Sequence, residues 1–132
     1  MKTFAYAAVA MLAAVPCMAD EAPEMSGAEL FRTFCASCHG AQARGDGPVA
    51  DVLRTPPPDL TSIAARNGGV FPRERVREQI DGQRRIGAHG TREMPIWGWE
   101  LYAFRGEDAA RRKRVAALIE RLVEYLAEIQ GS

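Results

Sequence analysis

An excess of charge is the first thing this sequence lacks: over 132 residues, seventeen Lys and Arg offset seventeen Asp and Glu. A nucleic-acid binder normally shows a basic surplus or stripe, so that class is set aside. Strand-like alternation is missing too, which leaves no pair of runs to build a sheet and points to an all-α fold. No grouping of Asp, Glu, Ser and His suggests general acid–base or nucleophilic chemistry, so an enzyme is not expected. Cysteine, histidine and methionine are scarce, at three, two and five, and their positions matter more than their number. The apolar share of 47% argues against wholesale disorder, and the length suits one domain.

Long hydrophobic runs are confined to one place. After Met1-Lys2-Thr3, residues 4–18 carry no charge, and Cys17-Met18-Ala19 precedes the acidic Asp20-Glu21. One early Lys, a short apolar stretch and a small-x-Ala ending describe a secretory leader. A spanning helix needs about 20 apolar residues, and Pro16 interrupts this run too early. The expectation is a cleaved signal peptide over 1–19, a mature domain over 20–132 with no membrane span, and a periplasmic location. Cleavage leaves Cys35, Cys38, His39, His89, Met25 and Met94 as the side chains from which metal chemistry can be built, carboxylates aside.

Three of those six stand together in Cys35-Ala36-Ser37-Cys38-His39, a C-x-x-C-H motif that is the signature of c-type haem attachment. Two thiols three positions apart on a helical turn can each add to one vinyl group of the same porphyrin. The adjoining imidazole then falls beneath the iron as an axial ligand. Other readings of the pair are a disulfide in an exported protein, a redox dithiol and a zinc site. The redox dithiol would want a βαβ setting that is absent, and zinc would want a second ligand pair that is also absent.

With these residues in view, the chain resembles the class I monohaem cytochromes c. Gly27, Phe31 and Cys35-Ala36-Ser37-Cys38-His39-Gly40 look like that family's first helix and attachment site. Gly45-Asp46-Gly47-Pro48 and Pro56-Pro57-Pro58-Asp59-Leu60 look like its proximal loop. Met94-Pro95-Ile96-Trp97-Gly98 looks like its distal ligand loop, and Leu122-Val123-Glu124-Tyr125-Leu126 like its last helix. The resemblance implies one covalently attached haem c, tethered by Cys35 and Cys38, with three to five helices around it and the terminal helices crossing. It also implies that a loop-proline carbonyl, from Pro56, Pro57 or Pro58, accepts a hydrogen bond from the His39 imidazole and fixes its orientation.

The sixth iron position has three candidates. Met25 lies beside the start of the attachment helix and cannot easily cross to the other haem face. His89 and Met94 both follow after enough chain to wrap the porphyrin. Pro95 favours an extended loop at Met94, and a thioether held in such a loop is what the resemblance implies. His89, set between Gly87 and Gly90, remains the alternative. A His39/Met94 pair would make the iron low-spin and raise its potential relative to nitrogen donors.

Ser26-x-x-Glu29 reads as a capping box opening a helix through Phe34. Residues 40–58 are loop, rich in glycine and proline, with one short turn at 49–53. Pro72, then Arg73–Asp81 and Gly82, predict a short helix burying Val76 and Ile80. Residues 107–129 show helical recurrence of Val115, Leu118, Leu122, Tyr125 and Ile129, broadened by Ile119 and Leu126. The terminal-helix crossing that the resemblance implies would pack this helix across the first with Phe31 near Tyr125. Arg84, Arg85, Trp97 and Trp99 are candidates to contact haem propionates. Arg111-Arg112-Lys113-Arg114 is taken as a solvated basic face, with partner docking as the alternative.

The function expected is single-electron transfer, Fe(III) to Fe(II) and back, between larger redox proteins, by a monomer or through transient complexes. A dedicated cytochrome subunit of a periplasmic dehydrogenase is one alternative. A ligand-binding haem sensor with an open distal site is another.

Overall fold

The computed structural model describes residues 24–82, 94–103 and 109–131, and among these no strand occurs. Helix α1, Gly27–Phe34, begins where the sequence signals it. The Ser26 hydroxyl accepts from the Glu29 backbone N–H at 3.3 Å, and the Glu29 carboxylate takes the Ser26 N–H at 2.8 Å. Two donors otherwise orphaned at the helix start are thereby satisfied. Leu30 and Phe31 turn inward, each 1% exposed. The helix breaks at Cys35 and resumes as α2, Ala36–His39, which ends at Gly40 with φ +79°.

Residues 41–71 form no α-helix. They fold into 3₁₀ turns at Ala50–Val52, Leu60–Ser62 and Ala65–Asn67. The Asp59 carboxylate caps the second of these, accepting from the Thr61 N–H at 2.8 Å and hydroxyl at 2.7 Å. Helix α3, Arg73–Asp81, follows Pro72 and ends at Gly82, whose N–H donates to the Glu78 carbonyl at 3.0 Å. It buries Val76 and Ile80, the pair expected.

Helix α4, Trp97–Ala103, lies where the sequence suggests only loop. Its Gly98 runs against the end of α3, where an added Cβ would meet the Asp81 carbonyl oxygen at 2.7 Å. The close approach demands glycine, and glycine is what weakens the helical signal.

Helix α5, Ala109–Glu128, is the long element. Its inward stripe is Val115, Ile119, Leu122, Val123 and Leu126, with Leu118, Tyr125 and Ile129 half-buried beside it. It packs across α1, the Phe31 and Tyr125 rings meeting at 5.4 Å between centroids and 45°. Gly27 sets the closeness of that crossing, since a Cβ there would meet Tyr125 Cβ at 2.8 Å and collide with the Arg121 carbonyl. Arg121 ties the far end, donating to the Met25 carbonyl at 3.0 Å and pairing with Glu24 at 2.6 Å. Arg77 bridges α3 to α5 through Glu120 at 2.8 Å. That pair is partly exposed, so apolar burial and not the ion pair holds the two helices.

One expectation fails here. The Arg111–Arg114 run is not a single basic face: Arg111 is 1% exposed and extends the stripe of Val115 and Ile119, while Arg112, Lys113 and Arg114 face outward. A four-residue charge run spans more than one full helical turn, so one member must point inward on a packed helix.

Candidate functional site

The chain geometry at Cys35-Ala36-Ser37-Cys38-His39 is one helical turn. The Cys35 carbonyl accepts from the Cys38 N–H at 3.2 Å and the His39 N–H at 2.9 Å. Residues three apart on such a turn share a face, so both thiols lie on the same side. Both are free and half-buried. At Cys35 burial, aided by the neighbouring Cys38, pushes the thiol up to about 12. The thiol is thus kept protonated near neutral pH in the haem-free chain.

His39 follows immediately. Burial holds its imidazole below the ordinary histidine value, because a charged ring would lose its hydration. Nδ1 is buried and makes no hydrogen bond. The Pro58 backbone opposes that shift without meeting Nδ1 in a full hydrogen bond. Of the three prolines that could serve this nitrogen, Pro58 is therefore the one beside it.

The glycine-rich loop presses on this turn from outside. The Gly45 N–H donates to the His39 carbonyl at 2.8 Å, and the Gly47 N–H to the Cys38 carbonyl at 3.2 Å. A Cβ at Gly45 would lie 3.2 Å from the Pro58 carbonyl carbon and run into the Pro57 oxygen. The 45–47 and 57–58 segments thus close around the His39 backbone.

Met94 is half-buried and packs against the same core as Phe34, Cys35, Ala36, Leu60 and Ile63. Three residues on, the Trp97 ring meets Phe34 at 5.7 Å between centroids and 55°. Phe34 is the residue before Cys35, so this ring pair joins the Met94 segment to the attachment turn. Met25 is also half-buried against the core, beside α1, where its carbonyl is held by Arg121. His89, Arg84 and Arg85 lie outside the described residues, as does the side chain of Trp99. No group of three or more His, Cys, Asp or Glu able to hold a metal ion occurs among the described residues. No described helix is long and apolar enough to cross a membrane.

Sequence reasoning missed two features here. Helix α4 presents Trp97 to Phe34, and the Trp97/Leu101 spacing of four was its only signal. The second is the anchoring of the 60–64 turn by Gln130, for which a lone polar residue near a helix end offers no signal at all.

A family model described as Cytochrome c matches residues 25–103, a span longer than half the chain. It takes in Cys35, Cys38, His39 and Met94 and ends before α5. No curated protein and no solved structure matches the chain. A domain of this kind carries covalently attached haem c and serves electron transfer. The residues present suit that group: two free thiols on one face of a turn, and an adjoining imidazole whose buried nitrogen has a carbonyl beside it.

Proposed function

The chain belongs to the cytochrome c family, and from that premise we propose that it is an exported single-electron carrier with Cys35 and Cys38 as the haem tethers and His39 and Met94 as axial ligands. Residues 1–19 are the cleaved leader and the mature domain works in the periplasm, passing electrons between redox proteins without turning over a substrate of its own.

Haem supplies a one-electron Fe(III)/Fe(II) couple when bound; the chain supplies binding, orientation and tuning. Cys35 and Cys38 anchor through thioether bonds, which make loss of the group a covalent event. His39, backed by Pro58, presents an imidazole in fixed orientation. Met94 supplies a soft sulfur that favours the ferrous state. With His39 and Met94 both holding the iron, O₂ and other small ligands would be kept out.

The observation that carries this reading is the Phe34–Trp97 ring contact. It links the turn bearing both thiols and the imidazole to the segment bearing the thioether, across a long stretch of intervening chain. The test is optical. The oxidised protein is expected to show a weak sulfur–iron band at the red end of its spectrum, and Met94→Ala to abolish it. Retention of that band in Met94→Ala, or rapid carbon monoxide binding by the reduced wild type at neutral pH, would overturn the assignment.

A further inference from the structure

Gln130 lies just beyond the last turn of α5, where an amide side chain ordinarily faces solvent. Here it is half-buried and its amide makes three hydrogen bonds. Its oxygen accepts from the Ala64 backbone N–H at 2.8 Å. Its nitrogen donates to the Leu60 carbonyl at 2.9 Å and to the Leu126 carbonyl at 2.5 Å. The next residue adds to the same seam, the Gly131 N–H donating to the Thr61 carbonyl at 2.9 Å. One primary amide therefore bridges the tail of α5 to both ends of the 60–64 turn.

What that turn holds is the reason to single it out. Leu60 lies two residues after Pro58, and the Leu60 N–H is fixed from the other side by the Ala43 carbonyl at 2.7 Å. Pro58 in turn rests against Gly45, whose N–H is bonded to the His39 carbonyl. The path from Gln130 to His39 thus runs through the 60–64 turn, the short Pro58–Leu60 link and the Gly45 N–H bond to the His39 carbonyl. Only Asp59 separates Pro58 from Leu60, and its carboxylate is held by the Thr61 N–H at 2.8 Å and hydroxyl at 2.7 Å, which leaves little slack over which a displacement of Leu60 can dissipate.

We propose that Gln130 is a positioning residue for the iron ligand: its side-chain amide fixes the 60–64 turn and, through it, the Pro58 carbonyl that backs His39. The segment that follows α5 thereby takes part in setting the potential of the iron. This rests on the assignment of His39 as an axial ligand.

The test uses the haem-loaded protein with Gln130→Met, which keeps length and neutrality but drops every hydrogen bond, and Gln130→Ala, which also removes the bulk. A carbonyl held behind a ligating imidazole makes the ring a stronger donor and favours ferric iron. Loosening it therefore raises the reduction potential in both variants. Solvent exchange of the His39 Nδ1–H, followed by proton NMR in the reduced state, accelerates by about fivefold, the factor by which losing one ordinary hydrogen bond of the Gln130 anchor favours opening of the 60–64 turn. Val123→Ala is the control, since it removes buried volume from the same helix at a residue 0% exposed and changes no charge. It should lower stability and leave potential and exchange unmoved. Unchanged potential and exchange in both Gln130 variants would overturn the proposal, as would equal shifts in Val123→Ala. Wild-type material with no haem wave at all would instead overturn the ligand assignment beneath it.

Discussion

Substituting Gly47 by alanine puts one methyl group between the glycine-rich loop and the attachment turn. The Cβ would lie 2.5 Å from both the carbonyl carbon and the oxygen of Cys38, and against the Ser37 oxygen. Ordinary contact begins near 3.4 Å, so the loop must retreat by about 0.9 Å. Backbone opposes it on both sides, so no side chain can swing clear. Retreat strains two hydrogen bonds, Gly47 N–H to the Cys38 carbonyl at 3.2 Å and Val49 N–H to the Ser37 carbonyl at 3.1 Å. Overpacking costs about 1–3 kcal/mol and the weakened bonds about 1 kcal/mol each if lost. Reduced freedom of the unfolded chain returns about 0.5 kcal/mol. The expected loss is about 2–4 kcal/mol, read as a lower urea midpoint of the haem-loaded protein with unchanged slope. Gly68→Ala is the comparison: nothing lies within 4 Å of its Cβ, and only its φ of +69° resists substitution. That costs about 1 kcal/mol. Equal losses in the two variants would refute the steric reasoning.

Phe31→Ala should cost about 3–5 kcal/mol by the same urea titration, because the ring is 1% exposed and seats Tyr125; a loss under about 1 kcal/mol would mean α5 does not lean on it. The Glu29 carboxylate is held below the usual range, first by the Ser26 backbone N–H and then by the Ser26 hydroxyl. The unfolded chain therefore binds that proton first, and the cap's contribution is complete above the ordinary carboxylate value of ~4.3 and fades as pH falls below it. Glu29→Gln should flatten the acid limb of the stability–pH curve, and an unaltered limb would count against the capping box. Cys35→Ala combined with Cys38→Ala should yield a chain without a sharp thermal transition, since the ten buried apolar residues among those described make a small core that the tethered group completes; a cooperative melt would contradict this.

The elements legible in the sequence were those with local signals. Ser26 and Glu29 announced α1, Pro72 and Gly82 bounded α3, and the Phe31–Tyr125 contact followed from the terminal-helix crossing that the family resemblance implied. The attachment motif was legible because five consecutive residues carry its chemistry. Helix α4 was not, because Gly98 answers to the neighbouring Asp81 backbone and not to its own helix. Arg111 was misjudged because identity suggested solvent where helical phase dictated burial. The choice of Pro58 among three prolines needed the tertiary approach of the loop to His39. Gln130 was invisible for a simpler reason: its partners lie 66 and 70 positions away.

Intact mass spectrometry of the protein recovered from the periplasm of a haem-maturing host tests the central claim most directly. The account predicts one species, equal to residues 20–132 plus a single haem, with no cysteine left to alkylate. A species at the bare polypeptide mass, taking up two equivalents of alkylating reagent, would contradict it.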